Sequence, residues 1–272
     1  HVAFNHPGTA PLFENMSFVI EPGQTVALVS KSGVGKTTLL NLLYGYYTPT
    51  QGTITINHQD ISKTSLDSLQ KNITLFGQNP NLFKGSIRDN IAYGAPEPDA
   101  VTDEAIWALA KRANLFEFIE KFPEKLHQQV GDNGQALSGG QQQKVAILRA
   151  MLKQTSIRLL DEITASCDST SATEIMQSIN HAAQDKTTLM ITHDLTEVHA
   201  ADKIIVLGKT GVIAEGTHPE LLESCALYQQ LWHSNTDTTL PAVHALSLFN
   251  QPEKTIEDDS VARNHTSKSI KL

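Results

Sequence analysis

The chain contains 272 residues, of which 40% are hydrophobic and 18% are charged, and its formal net charge at pH 7 is −8. This length permits one large domain or two lobes around a buried core. The acidic balance and the lack of a run rich in Lys and Arg argue against a nucleic-acid partner. No apolar run approaches the roughly 18 residues needed to cross a bilayer. The two cysteines, Cys167 and Cys225, are too few for a disulfide framework and favour a reducing compartment.

The first part of the sequence is predicted to contain several strands and one helix. Thr25–Val29 is a short, continuous apolar run, as expected for a strand that is buried on both faces. Leucines at helical spacing follow in Lys36–Tyr44, so a strand, a glycine-containing loop and a helix are consecutive. The other strands predicted here are Val2–Phe4, Met16–Ile20, Thr53–Asn57 and Ile73–Phe76.

The middle of the sequence is predicted to be mainly helical, and further strands are predicted after it. Helices are predicted over Thr102–Ala113, Leu115–Lys121 and Gln141–Leu152. Further strands are predicted at Ile157–Leu160, Thr187–Ile191 and Lys203–Leu207, before a closing helix over Pro219–Leu231. Strands that alternate with helices indicate an α/β fold with a mainly parallel sheet.

We interpret the chain as four consecutive parts. Residues 1–78 form an N-terminal β part and the core that carries the glycine-containing loop, and residues 79–153 form an inserted helical lobe. Residues 154–233 form the remainder of the α/β core. Residues 234–272 are rich in Thr, Ser, Asn and charged side chains, which predicts a mostly disordered and dispensable tail. Because the sequence opens at His1 without a methionine, we expect it to be a piece of a longer protein.

The loop after the first buried strand reads Ser-Lys-Ser-Gly-Val-Gly-Lys-Thr over residues 30–37, a phosphate-binding pattern. Backbone N–H groups at the start of the next helix can donate to phosphate oxygens, and glycines let the backbone approach them. A lysine in this position reaches the β and γ phosphates, and a threonine offers its hydroxyl to Mg²⁺. The residues predicted to contact the nucleotide here are Ser32, Gly33, Val34, Gly35, Lys36, Thr37 and Thr38.

Four further features follow this loop in a fixed order. They are Gln78 after a strand, Leu137-Ser138-Gly139-Gly140-Gln141 before a helix, the pair Asp161-Glu162, and His193. With the loop, this series resembles the nucleotide-binding domain of an ABC transporter over about residues 2–232. The resemblance implies a P-loop NTPase fold with a RecA-like core, an antiparallel β part near the N-terminus and an inserted helical lobe. The block from Phe83 to Gly94 is similar to exporters in particular.

The resemblance also implies a ligand, ATP with Mg²⁺, and a role for each motif residue. Glu162 would be the general base that polarises the attacking water, and Gln78 and His193 would sense the γ-phosphate. The metal ligands would be Thr37, Gln78 and Asp161. His6 occupies the place of the aromatic residue that stacks on adenine, although a solvent-exposed loop histidine fits the sequence equally well.

A dimer that sandwiches two ATP–Mg is a further implication of the family pattern. The signature residues Leu137, Ser138, Gly139, Gly140 and Gln141 would face the γ-phosphate held by the other subunit. Ser166 and Asp168 match the last residues of the loop through which the two subunits touch.

The expected function is therefore an Mg²⁺-dependent ATPase that powers export of a substrate at the cytoplasmic face of a membrane. Its partners would be a second nucleotide-binding domain and a transmembrane domain, fused upstream or carried on a separate chain. One alternative is a catalytically impaired partner domain of a heterodimer, which departures at Ser30, Arg158 and His6 favour. Others are an importer ATPase and a soluble, non-transport ABC ATPase, whose usual coiled-coil insertion or second cassette does not occur in this sequence.

Overall fold

The structure, a computed structural model, describes residues 1–181, 186–192, 195–236 and 269–272. Its α-helices within these ranges are α1 (Lys36–Leu43), α2 (Leu66–Gln70), α3 (Ile87–Ala92), α4 (Asp103–Arg112), α5 (Phe116–Glu120), α6 (Gly139–Leu152), α7 (Ser169–His181), α8 (Leu195–Val198), α9 (His218–Ser224) and α10 (Ala226–Thr236). Its strands are β1 (Val2–Phe4), β2 (Phe13–Met16), β3 (Val19–Ile20), β4 (Thr25–Ser30), β5 (Thr55–Ile56), β6 (Gln59–Asp60), β7 (Ile73–Phe76), β8 (Ile157–Asp161), β9 (Thr187–Ile191), β10 (Lys203–Leu207), β11 (Val212–Gly216) and β12 (Ile270–Lys271).

A six-stranded sheet in the order β11-β10-β4-β9-β8-β7 forms the centre of the fold. All neighbours in it are parallel except β11, which runs antiparallel to β10 at one edge. The strands β8 and β9 are buried at every residue, which explains why they read as continuous rather than alternating apolar runs. The parallel strands end at the same edge of the sheet, so residues that follow β4, β7, β8 and β9 gather there. The predicted α/β class with a mainly parallel sheet is confirmed.

A group of helices, α3 to α6, packs against this sheet through a continuous apolar core. Thr102 caps the start of α4, because its hydroxyl accepts from the Ala105 amide, and the helix ends before Asn114, which has a left-handed φ of 54°. Arg149 on α6 ties this group together, because its guanidinium donates to the carbonyl oxygen of Asn90 at 2.7 Å and to that of Asn81 at 2.8 Å. The helices predicted from apolar spacing in this region are therefore present.

Two small antiparallel sheets lie beside the main sheet. One consists of β1 and β2, and the other has the order β3-β12-β5-β6. The strand predicted over Met16–Ile20 is split between them, because the chain changes its pairing partner from β1 to β12 at Ser17 and Phe18. The strand predicted over Thr53–Asn57 is shortened to β5, since Asn57 adopts a left-handed φ of 51°.

The C-terminal part of the chain differs most from the sequence prediction. The closing helix predicted over Pro219–Leu231 is two helices, α9 and α10, separated at Cys225, which is extended with φ −118° and ψ 102°. The mostly disordered tail predicted over 234–272 stays a prediction for residues 237–268, which lie outside the described residues, whereas residues 234–236 belong to α10 and residues 269–272 are described. Ile270 and Lys271 form the strand β12, with Ile270 paired to Ile20 on one side and to Ile56 on the other.

Among the helices of the described ranges, none combines the length and the apolar character that a membrane crossing requires.

Candidate nucleotide site

The phosphate-binding loop joins the buried strand β4 to the helix α1. Gly33 and Gly35 have left-handed φ values of 80° and 97°, which side chains rarely tolerate. A Cβ atom at Gly35 would also lie 2.7 Å from Cδ2 of Leu12. Gly35 is the residue that precedes α1, and no side chain caps this helix end or places an acid in its first turn. The helix N-terminus therefore points its positive end into the loop without a competing anion from its own first turn.

Ser30 and Lys36 are in contact within this loop. Ser30 ends β4 without a left-handed φ, so the serine in place of the usual glycine carries no backbone strain. The Lys36 ammonium donates to Ser30 Oγ at 3.3 Å, and Ser30 Oγ donates to the Lys31 carbonyl oxygen at 2.8 Å. Burial lowers the pKa of Lys36, and the nearby carboxylates of Glu162 and Asp161 partly oppose this effect. A phosphate oxygen next to the amine would favour its charged form in the same way.

Thr37 and Asp161 meet where α1 faces the end of β8. Thr37 Oγ1 donates to Asp161 Oδ1 at 3.3 Å. Burial raises the pKa of the Asp161 carboxyl, while the hydrogen bond from Thr37 acts in the opposite direction. No group of three or more His, Cys, Asp or Glu side chains suited to a metal occurs in the part of the chain that the structure describes. Mg²⁺ is typically held by one or two protein oxygens together with substrate phosphates, and this hydroxyl–carboxylate pair fits that requirement.

Glu162 follows directly and has an unusual backbone. Its φ of 48° lies in the left-handed region, and its amide donates to the Ile191 carbonyl oxygen at 2.9 Å. A non-glycine residue held in such a conformation costs about 1–3 kcal/mol and is often found where function requires it. The bond to the end of β9 fixes the direction in which the chain leaves β8. This conformation could not be predicted from the sequence, because glutamate has no preference for it.

Gln78 lies just beyond β7, at the same edge of the sheet, and its side chain is exposed. The preceding Gly77 carbonyl oxygen accepts from Gln143 Nε2 at 3.3 Å, which connects this segment to α6. His193, predicted to follow β9, lies outside the described residues.

The signature segment starts α6 with a reciprocal cap. Ser138 Oγ accepts from the Gln141 amide at 3.3 Å, and Gln141 Oε1 accepts from the Ser138 amide at 2.9 Å. Because the serine hydroxyl accepts this bond, its own hydrogen remains able to donate elsewhere. A Cβ atom at Gly140 would lie 2.7 Å from Ser171 Oγ, and one at Gly139 would lie 3.2 Å from the Ser166 carbonyl oxygen. The two glycines therefore let the start of α6 pack against residues 166–171.

Asp168 and Ser166, the predicted subunit-contact residues, are both exposed. The Asp168 carboxylate accepts from the Ser171 amide at 2.9 Å at the start of α7, and this bond lowers the pKa of Asp168. The signature and the predicted subunit-contact residues thus adjoin one another within the chain.

His6 lies in an aromatic group on the loop between β1 and β2. Its ring meets the ring of Phe4 edge-on, with centroids 5.0 Å apart, and that of Tyr47 edge-on at 5.3 Å. The same loop leads to Leu12 and Phe13, which crowd Gly35 in the phosphate loop. The loop that carries His6 therefore reaches the phosphate loop through Leu12 and Phe13, while His6 itself packs on Phe4 and Tyr47.

Arg158, the other departure noted in the sequence, is buried in the middle of β8. Its guanidinium donates to the Ile179 carbonyl oxygen at 3.3 Å, and burial lowers its pKa to about 10. The expectation that it finds an acceptor is confirmed. It contacts α7 through this bond.

A groove of about 440 Å³ runs between the end of α1, the segment after β7 and α6. Tyr93, 65% exposed, and Arg149 line it. Next to it, the ring of Phe83 lies 5.2 Å from that of Tyr93, and the Arg149 guanidinium lies over Phe83 at 5.6 Å. The two exposed rings of the segment Phe83–Gly94, those of Phe83 and Tyr93, therefore lie at one concave surface.

The sequence model of a family described as ABC transporter matches residues 13–165. The ATP-dependent lipid A-core flippase of Shewanella denitrificans is 40% identical over 234 residues, which is 85% of this chain and 39% of that protein. Multidrug resistance protein 1 of Entamoeba histolytica is 38% identical over 233 residues, 85% of this chain and 18% of that protein. The chain thus spans about two fifths of the bacterial flippase and less than a fifth of the Entamoeba protein.

A similar solved structure is that of a bacterial Atm1-family ABC exporter with ATP bound. It superposes with a TM-score of 0.81 at 33% sequence identity, covering 86% of this chain and 41% of that chain.

Proposed function

Because this chain belongs to the ABC transporter family, we propose that it binds ATP–Mg and hydrolyses it to power the export of a substrate across a membrane. The observation that carries the proposal is the meeting of Lys36, Thr37, Asp161 and Glu162 where β4 and β8 end. A buried cation, a hydroxyl–carboxylate pair and an adjacent second carboxylate are what phosphoryl transfer to water requires. The similarity to the lipid A-core flippase, to multidrug resistance protein 1 and to the ATP-bound exporter structure supports the same function.

The phosphates would be held by the chain itself. Backbone N–H groups of residues 33–38 and the Lys36 ammonium donate to phosphate oxygens, with Ser30 positioning the amine. Thr37 and Asp161, with Gln78 at the same edge, would hold Mg²⁺, which when bound neutralises charge on the β and γ phosphates. Glu162 takes the proton from the attacking water, and His193 donates to the γ-phosphate.

Two copies would form the complete site. The signature of one subunit, with the Ser138 hydroxyl as donor, faces the γ-phosphate bound by the other, and Ser166 and Asp168 line the contact. This surface is supported by the packing of Gly139 and Gly140 on residues 166–171, which makes one unit of the signature and the contact loop.

A membrane-spanning partner domain would dock on the groove beside Tyr93 and Phe83, at the cytoplasmic face of the membrane. Exposed aromatic rings next to a half-buried arginine are the kind of anchors that protein interfaces use. The coding sequence that flanks this chain tests the fused arrangement, which predicts apolar spans of about 20 residues upstream. Flanking sequence without such spans would contradict the fused arrangement. If, in addition, no cosynthesised membrane protein copurifies with the chain, the proposed membrane-spanning partner would be contradicted as well.

The activity itself is tested by single-turnover hydrolysis of γ-labelled ATP by the full chain. We expect phosphate release with Mg²⁺ and none with EDTA, because Thr37 and Asp161 alone leave the phosphate charge unneutralised. Nucleotide that binds but is not hydrolysed in either condition would favour the alternative, a non-hydrolysing partner domain of a heterodimer. His6 is the departure that still favours that alternative, since Ser30 and Arg158 leave the catalytic groups intact.

Replacing His6 with tyrosine should tighten ATP binding by up to about tenfold. Base–aromatic stacking is worth roughly 1–3 kcal/mol per base, and the smaller imidazole ring gives the low end of that range. The affinity is measured by titration with a fluorescent ATP analogue, with His6→Ala as the matched variant that should weaken binding. If both variants bind like the parent, His6 has no contact with the base.

A further inference from the structure

Three side-chain rings pack against one another where β1 ends. The centroid of the His6 ring lies 5.0 Å from that of Phe4 and 5.3 Å from that of Tyr47, and the last two are 5.4 Å apart. The imidazole plane makes angles of 83° with the Phe4 ring and 87° with the Tyr47 ring. Edge-to-face contacts at such distances are among the arrangements that aromatic rings prefer. The imidazole is therefore oriented by two neighbouring rings.

The turn after His6 fixes the backbone of this residue and not its ring. The His6 carbonyl oxygen accepts from the Thr9 amide at 3.1 Å, from the Thr9 hydroxyl at 2.9 Å and from Asn5 Nδ2 at 3.2 Å. Within the ranges that the structure describes, the imidazole itself makes no hydrogen bond or ion pair. The packing of Phe4 and Tyr47 therefore limits the rotation of this ring about its Cα–Cβ bond.

Backbone bonds hold the segment that carries Tyr47. The Tyr47 amide donates to the Asn41 carbonyl oxygen on α1 at 3.4 Å. Farther along the segment, the Thr50 amide and hydroxyl donate to the Ala3 carbonyl oxygen on β1, at 2.9 Å and 3.0 Å. Tyr47 is therefore anchored between the helix that starts at the phosphate loop and the strand that leads to His6.

We propose that Tyr47 is a positioning residue for adenine binding, because its ring sets the plane in which the His6 imidazole meets the base. An imidazole that rotates freely would have to be ordered when ATP binds, and ordering a side chain costs conformational entropy. A ring that is already oriented avoids this cost, so Tyr47 raises the affinity without touching the nucleotide. This inference depends on the proposed function, since it requires ATP to bind with its base at His6.

The affinity of Tyr47 variants for ATP, measured by competition with a ribose-labelled fluorescent analogue, tests the proposal. Phe4 is a core residue at 5% exposed, whereas Tyr47 is 39% exposed, so a change at Tyr47 leaves the core intact. Tyr47→Ala should weaken binding by about two- to fivefold, because stacking at the low end of its range corresponds to roughly a fivefold change in affinity. Tyr47→Phe keeps the ring and should bind ATP like the parent. The matched control is Tyr46→Ala, which should also bind like the parent, because the Tyr46 ring is 57% exposed and packs on Tyr44 at 5.0 Å.

A double-mutant cycle with His6 separates positioning from a general effect on the fold. In a His6→Ala chain, Tyr47→Ala should leave the affinity unchanged within error, because no imidazole remains to be oriented. Equal losses from Tyr47→Ala in the parent and in His6→Ala would overturn the proposal, as would no loss in the parent or an equal loss in Tyr47→Phe or Tyr46→Ala. If thermal unfolding shows that Tyr47→Ala does not fold, Tyr47→Leu takes its place with the same expected results. Absence of ATP binding by the parent would instead overturn the proposed function, and this inference with it.

Discussion

Replacing Lys36 with alanine should lower ATP hydrolysis by roughly 10²–10³-fold or more and weaken ATP binding. Lys36 is the cation that the phosphate loop directs at the β and γ phosphates, and its ammonium is already positioned by Ser30 at 3.3 Å. The fold should survive, because burial lowers the pKa of this lysine and its charge is therefore costly to the folded chain. The measurements are single-turnover hydrolysis, ATP titration and thermal unfolding.

Lys63→Ala is the matched control for the loss of one positive charge. Its amine is exposed and lies 3.9 Å from a carboxylate oxygen of Asp60, far along the chain from the phosphate loop. Its turnover should equal that of the parent within error. Parent-like turnover in Lys36→Ala itself would remove the phosphate loop from the proposed mechanism.

Replacing Glu162 with glutamine should lower the rate of hydrolysis by about 10²–10⁴-fold while ATP binding persists. Glutamine keeps the shape and hydrogen-bonding capacity of the side chain but is not a base. Lys36, Thr37 and Asp161 still hold ATP–Mg, so the nucleotide stays at the subunit contact. A ligand that binds only the dimer stabilises it by mass action. The variant should therefore elute as a dimer with ATP–Mg and as a monomer without it.

Two further variants separate the parts of this prediction. Adding Ser138→Arg to Glu162→Gln should restore the monomer, because a bulky cation displaces the small hydroxyl that caps α6. Glu104→Gln, an exposed change at the start of α4, should leave turnover and elution unchanged. Hydrolysis at the parent rate by Glu162→Gln would exclude it as the base, and a variant that never dimerises with ATP would count against the cross-subunit signature.

The parts of the site that could be predicted are those in which residue type and backbone geometry are strongly coupled. Gly33 and Gly35 indicate a left-handed backbone conformation, and the apolar runs of β4 and β8 predict strands that are buried on both faces. The position of Asp161 at the end of β8 followed from that run alone. These are local signals, and each needs only a few neighbouring residues.

The features that escaped prediction depend on distant partners. The left-handed Glu162 is held by the Ile191 carbonyl oxygen on another strand, which overrides the preference of glutamate. The strand β12 has only two residues, and its isoleucine, Ile270, can be recognised as a strand residue only from its pairing with Ile20 and Ile56. Nothing in a window around either residue carries that information. The break at Cys225 is likewise invisible, because the apolar spacing continues across it.

The bonds of Arg149 connect two regions that the sequence keeps apart. Its guanidinium donates to the carbonyl oxygens of Asn81 and Asn90, and its backbone belongs to α6. The signature serine lies at the opposite end of that helix, about 16 Å away at 1.5 Å per residue. Between these two ends, Val145, Ile147 and Leu148 of the helix share one core with Val29, Phe76 and Leu160 of the sheet. One helix therefore contacts the groove, the strands that carry the phosphate loop, and the start of the signature, so we expect a displacement of any one of these regions to be felt by the other two.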